Sequence, residues 1–392
     1  MRNFIKDITR FFVSLRLTVV LLALSIILVF VGTIDQVHLG IWAVQQEYFR
    51  SFVAYWRIPI GETFKLVVPL PGGYLVGGLL FFNLISAHIH RFKLNWKKSG
   101  IFLTHIGLIF LLVGELLSGL WQEDFQMRLD EGQTSNFSES TRLNELAIID
   151  ATDSKFDEVV AIPEELLQKG QSIQHPRLPF RINVRAYYPN ATLQMANQMA
   201  NPPPALANQG IGANAVVTPQ EMTYKPNERN LPAAAIELIG TNGSLGTWVV
   251  SMMLGEAQTF THEGKTWRLI MRGERFYKDF SLTLQKFSHD RYAGTDIPKN
   301  FSSRVRLKTE DGKTDREALI YMNNPLRFAG LTFYQASFDN NDRTTILQVV
   351  RNPGRALPYI ACILMALGLV IQFGISLYGF ISKRTAATST AR

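Results

Sequence analysis

A single cysteine, Cys362, is present in 392 residues, and no CxxC pair exists. Thiol–disulfide exchange by this chain, and thioether attachment to it, are therefore excluded. Also missing are a Gly-rich phosphate loop, an HExxH pair and a nucleophile elbow, so no hydrolase or nucleotide site of a familiar kind is legible. There is no internal repeat, which argues against a transporter built from inverted halves.

Long apolar runs are plentiful. Residues 17–34, 74–90, 100–121 and 358–381 read as membrane spans, each close to the roughly 20 residues that cross a hydrocarbon core. The second is the shortest, with Gly72, Gly73, Gly77 and Gly78 at its start, and its length suggests a beginning nearer Leu66. The first is too long, and lacks a small-x-small site, for a cleavable signal.

Charge sets the expected orientation. Arg2, Lys6, Arg10 and Arg16 precede the first span; Arg91, Lys93, Lys97 and Lys98 fill the turn between the second and third; Lys383, Arg384 and Arg392 follow the fourth. With Asp7 these flanks carry +10 against a whole-chain +8, so everything else sums to −2. The basic balance is a topology signature and no nucleic-acid footprint. Segments 1–16, 91–99 and 382–392 are expected in the cytoplasm of a multi-pass inner-membrane protein. Residues 35–73 and 122–357 are then exported, to the periplasm or an equivalent space.

The exported loop 35–73 holds Ile41, Trp42, Tyr48, Phe49, Phe52, Tyr55 and Trp56 at near-helical spacing. This predicts a helix, lying on the membrane face or packed outside it. Residues 122–357 read as mainly antiparallel β, with alternation at 180–187, 234–239, 247–253, 266–271, 280–287, 303–307, 317–321 and 331–337. Asp311-Gly312 marks a hairpin turn, and 162–167 a short helical turn with Pro163 near its start. Residues 196–230, rich in Pro, Ala, Asn and Gln, read as a flexible insertion without core residues. The fold class is thus a membrane protein of four transmembrane helices, with a large exported β domain between the third and fourth.

Within the third span lies His105, and an intramembrane imidazole is expensive unless partnered. Two readings stay open on the residues alone: a neutral histidine hydrogen-bonded to a neighbouring helix, or a ligand. Gly100, Gly107 and Gly114 recur every seven residues beside it, a small stripe for a close helix partner. Glu115 lies further outward on the same helix, with a structural role the simpler reading. His88 and His90, two apart and next to Arg91, end the second span at headgroup level and are weaker ligand candidates. His38, His175, His262 and His289 show no metal-ligand spacing. One histidine does not make a zinc site, but haem iron takes one axial ligand from each side. The chain therefore reads as half of a site.

The pattern resembles the ResB/CcsB family, the large-domain subunit of the system II cytochrome c synthase. The resemblance rests on SLRLTVVLLALS, GIFLTHIGLIFLLVGELLSG, WQEDFQMRLDEGQT, FSLTLQKFSHDRYAGTDIPKNFSSRV, YMNNPLRFAGLTFYQASF and NPGRALPYIACILMALGLVIQFG, spread over nearly the whole chain. It implies an accessory subunit without an active site of its own. A ResC/CcsA-type partner would carry a tryptophan-rich loop, which this chain lacks. Together the two would move haem b across the membrane and join it to apocytochrome c. His105, by its place in GIFLTHIG, matches the family's intramembrane histidine, an axial ligand about 7–8 Å inside the membrane. The insertion at 196–230 departs from the family pattern. The competing reading is a cofactor-free, membrane-anchored assembly or adhesion module, with His105 a packing residue.

Overall fold

In the computed structural model of the protein, residues 9–60, 64–91, 95–153, 156–223, 229–292, 294, 298–339 and 343–390 are described. Of the charges that set the expected orientation, Arg2, Lys6, Asp7, Lys93 and Arg392 lie outside them, as do 224–228 of the insertion. The chain divides into two compact units: one holds the long helices, the other residues 124–223 and 227–350.

The helical unit contains α1 (Leu15–Val44), α2 (Gly73–Arg91), α3 (Ser99–Trp121) and α4 (Leu357–Thr390). Four helical stretches are long and apolar enough to cross a membrane: Leu15–Ile41, Gly73–His90, Trp96–Trp121 (α3 with the turn before it) and Leu357–Thr385. At 1.5 Å per residue, the 23 residues of α3 reach about 34 Å.

Two expectations are corrected between α1 and α2. The expected helix forms only in part: residues 41–49 are helical, but Tyr55 and Trp56 lie in a strand. Helix α1 breaks at Gly40, whose φ of 79° suits glycine, and the chain folds back. Val44 and Phe49 then come so close to Gly32 that a Cβ there would meet each at 3.2 Å. A π-helical turn (Gln45–Phe49) leads into a hairpin of β1 (Val53–Ile60) and β2 (Phe64–Pro71). Ala54, Trp56 and Leu70 alternate onto a small core with Leu28, Val31, Val44 and buried Tyr48. Because β2 occupies 64–71, α2 starts at Gly73 and not near Leu66. The glycines there serve close approach: a Cβ on Gly72 or Gly73 would collide with the Ser51 or Phe49 carbonyl oxygen.

The β unit comprises β3 (Glu123–Asp130), β4 (Thr134–Asp150), β5 (Glu158–Pro163), β6 (Ser172–Ile173), β7 (Arg181–Tyr188), β8 (Ala191–Met195), β9 (Ala215–Pro219), β10 (Ala233–Gly240) and β11 (Gly243–Ser251). It continues with β12 (Gln258–His262), β13 (Lys265–Arg291), β14 (Pro298–Thr309), β15 (Asp315–Tyr321), β16 (Leu326–Phe328), β17 (Leu331–Asp339) and β18 (Thr344–Arg351). The main sheet runs β15-β14-β13-β4-β3-β18-β17-β16, and a smaller one β11-β10-β7-β6. The Asp311-Gly312 turn joins β14 to β15 as predicted, with Lys308 opposite Asp315. A helical turn (Glu164–Gln168) follows Pro163.

Strand β13 explains why one domain has two cores. Its first half places Trp267, Leu269 and Met271 with Leu146 and Ile148 of β4, against Ile182, Ile236, Leu238 and Val250 of the smaller sheet. Register shifts after Gly273 and Tyr277 let the second half turn Phe280, Leu282 and Leu284 into another core, with Met127, Leu129, Val305, Phe333 and Val349. Each half shows the period-2 alternation of its own core.

The insertion is not devoid of core residues. Its strand β9 pairs with β8, and Ala207, Ala215 and Val216 are buried. Gln209 bridges to Trp248, and the Asn208 and Gln209 amides both donate to the Thr247 carbonyl. The segment thus covers the free edge of β11, which would otherwise present unpaired backbone. Polar side chains fasten its base: Asn230 exchanges two hydrogen bonds with the Thr223 backbone, and the Leu231 amide donates to Asn190 Oδ1. A composition of Pro, Asn and Gln conceals this because backbone and amide bonds, not apolar side chains, hold the segment.

Candidate functional site

Three contacts fix how α3 sits among its neighbours. A Cβ on Gly100 would meet the Gly368 carbonyl oxygen at 2.5 Å. One on Gly107 would lie 2.6 Å from Met365 Cγ and 2.8 Å from the Ala361 carbonyl, and one on Gly114 3.0 Å from Leu357. The small stripe is therefore occupied by α4 of the same chain, at a spacing only glycine permits.

His105 faces another way. Five residues at about 100° each carry it about 140° around the helix from Gly100. It does not join the glycine stripe's crevice. It meets α2, where the His88 ring stands with its centre 5.0 Å away and its plane at 87°. The His88 ring also lies 5.7 Å from Phe102, one helical turn before His105. The structure thus joins two of the three candidate histidines. His90 is exposed on another face of α2, as the two-residue offset requires.

Both paired rings are half-buried. His88 Nδ1 lies 3.2 Å from the Leu84 carbonyl oxygen, one turn back on α2. A carbonyl only accepts, so Nδ1 carries the proton and Nε2 the lone pair. On His105, Nδ1 is buried with no hydrogen-bond partner among the described residues. A buried ring nitrogen with nothing to bond is a cost that a neighbouring hydrogen-bonding group offsets. A neutral imidazole offers one lone pair, and among the described residues no three His, Cys, Asp or Glu converge to hold a bare metal ion. Glu115 is exposed in the C-terminal half of α3.

Sequence reasoning missed Asn83, which is 3% exposed in the middle of α2. Its Nδ2 donates to the Phe12 and Ser14 carbonyls at 2.6 and 3.2 Å, and its Oδ1 accepts from the Thr18 hydroxyl at 2.7 Å. The helix is interrupted at Val13 and Ser14, and Asn83 satisfies the carbonyls this frees, as an apolar surrounding demands. The signal was available: an amide inside an apolar run needs a partner. Also missed was Tyr48, which is wholly buried and donates its hydroxyl to Asp35 of α1. Burial and the Asp35 carboxylate both push its phenol well above the usual range.

Residues 238–346, within the β unit, match the ResB-like family. Protein NrfI of Wolinella succinogenes is 37% identical over 91 residues, covering 23% of this chain and 10% of that protein. The cytochrome c biogenesis protein CcsB of Synechococcus elongatus is 30% identical over 96 residues, covering 24% of this chain and 21% of that one. The matched stretches thus span about a tenth and about a fifth of those relatives' own lengths. As its motifs predict, the chain is similar to the ResB/CcsB family.

Proposed function

From that similarity as premise, we propose that the chain is a membrane subunit of a system II cytochrome c synthase. It works with a ResC/CcsA-type partner to bring haem b across the membrane and to attach it to apocytochrome c. The basic flanks and the turn between α2 and α3 face the cytoplasm, and the β unit is extracytoplasmic. The observation that carries the reading is His105: a half-buried imidazole within a membrane-length helix.

Haem here is cargo, and the chemistry it brings is an iron that accepts an imidazole nitrogen. The residues fit such a group. His105 offers the nitrogen, and the second axial ligand comes from the partner. With His105 in the seventh position of α3, the iron site lies about 9 Å along the helix from its basic end, near where haem made in the cytoplasm enters. The β unit, lacking any cysteine, presents apocytochrome without a thiol of its own to compete for the haem vinyl groups.

The test is co-expression with a tryptophan-rich multispan partner and a reporter apocytochrome. His105→Ala is expected to lower co-purified haem and matured cytochrome at least tenfold while the two subunits still associate. Undiminished haem and maturation in that variant would reject the reading.

A further inference from the structure

The second imidazole at this site is the feature that the proposed function leaves unused. Two imidazoles sharing an N–H···N bond have ring centres about 5 Å apart: about 2.9 Å between nitrogens, plus a little over 1 Å from each nitrogen to its ring centre. The observed separation is 5.0 Å, with the planes nearly perpendicular. His88 Nε2 and His105 Nδ1 are both buried. The direction of such a bond follows from the hydrogen inventory of neutral rings. His88 Nδ1 already donates to the Leu84 carbonyl, so Nε2 is an acceptor only. His105 must then be the donor, through Nδ1.

We propose that His88 is a positioning residue for His105. Its Nε2 accepts the Nδ1 proton of His105 after a small ring rotation, completing a chain from His105 through His88 to the Leu84 carbonyl. This holds His105 as the Nδ1–H tautomer and leaves its Nε2 lone pair pointing away from α2. An imidazole whose far N–H is held by an acceptor is both oriented and more electron-donating toward a metal. In an apolar layer the alternative, a bare N–H, is costly, so the pairing is strongly favoured. Metal geometry supports the same division of roles. Two imidazoles trans on one iron stand roughly 6 Å apart between ring centres, given metal–nitrogen bonds of about 2 Å. At 5.0 Å the two rings stand closer than that, a spacing that suits one ring supporting the other.

The inference rests on His105 being the ligand, and its test is independent of haem. The full-length chain, labelled with ring-15N histidine, is placed haem-free in lipid bilayers and examined by solid-state NMR. Single substitutions assign the histidines. The expected result is a His105 protonated on Nδ1, with a through-space correlation to His88 Nε2. In His88→Leu, His105 shifts toward the Nε2–H form, and in His88→Gln, whose side-chain oxygen also accepts, the Nδ1–H form is restored. A wild-type His105 protonated on Nε2, or a tautomer unchanged in His88→Leu, overturns the proposal. The wild-type correlation decides the matter even if His88→Leu fails to insert. In the partner complex, His88→Leu is expected to weaken haem retention about 10- to 100-fold, and His88→Gln to keep it near wild type. Haem retained by His105→Ala would instead defeat the ligand reading and leave the tautomer result standing.

Discussion

Lys278 lies in the inward-facing row of β13, with Phe276 before it and Phe280 and Leu282 after it, and is only 6% exposed. Its ammonium donates to Ser138 Oγ at 2.7 Å and the Phe276 carbonyl at 3.1 Å, and stands 5.4 Å from the Phe276 ring. Burial pushes its pKa down from an ordinary 10.5 to about 8. Below pH 8 the amine is charged in both folded and unfolded chains, and the folded domain bears the full cost of burying it. Between pH 8 and 10.5 the folded amine is neutral while the unfolded one still holds its proton, so stability rises with pH. Above that range both are neutral and the cost is gone. At about 1.4 kcal/mol per pH unit, the cost at pH 7 is about 3 kcal/mol, most of it relieved by pH 10. Lys278→Met removes it at all pH values. Urea unfolding of the full chain in nanodiscs, followed by near-ultraviolet circular dichroism from buried Trp248 and Trp267, reads the domain directly. The variant is expected to exceed wild type at pH 7 by about 2–3 kcal/mol and to converge with it at pH 10. Equal stability at pH 7, or a difference that does not change with pH, would refute the reasoning.

Other consequences follow from named contacts. Arg272 and Glu145 face each other across β13 and β4 in a buried ion pair of 2.8 Å. Arg272→Met alone is expected to cost about 3–5 kcal/mol in the same unfolding assay, and the double change with Glu145→Leu to recover most of it. Gly107→Leu forces its side chain into the Ala361 backbone, so α3 and α4 must separate; a loss of about 1–3 kcal/mol in detergent-denaturation equilibria is expected, which Met365→Ala does not fully rescue. Asn83→Leu removes the donor to the Phe12 and Ser14 carbonyls, stranding that of Phe12, and is expected to cost about 1–2 kcal/mol by that measurement, with Thr18→Val costing less.

What the sequence made legible depended on periodicity. The apolar runs announced four helices because few charges interrupt them, and FSLTLQKF announced a strand because its alternation matches a half-buried pleat. The reading failed where other forces decide. Ile41 to Trp56 carries helical spacing, and residues 41–49 are helical, yet the pairing of Tyr55 with Pro69 draws the end of the run into a hairpin. The insertion looked structureless because its order comes from backbone pairing to the edge of β11. At the candidate site, His105 was identifiable from its cost in an apolar run. Its facing was not, since the stripe it neighbours in sequence belongs to α4 and the ring turns to α2. That His88 meets it depends on how α2 and α3 pack, which no local pattern encodes.

The role proposed for His105 is to bind, through a ring nitrogen, the iron of a haem shared with a partner subunit. The most direct measurement is the electron paramagnetic resonance and visible spectrum of the purified two-subunit complex, as wild type, as His105→Ala, and as that variant supplied with imidazole. The account predicts a low-spin, two-nitrogen iron in wild type, lost in the variant and restored by free imidazole. An unchanged low-spin signal in His105→Ala would contradict it.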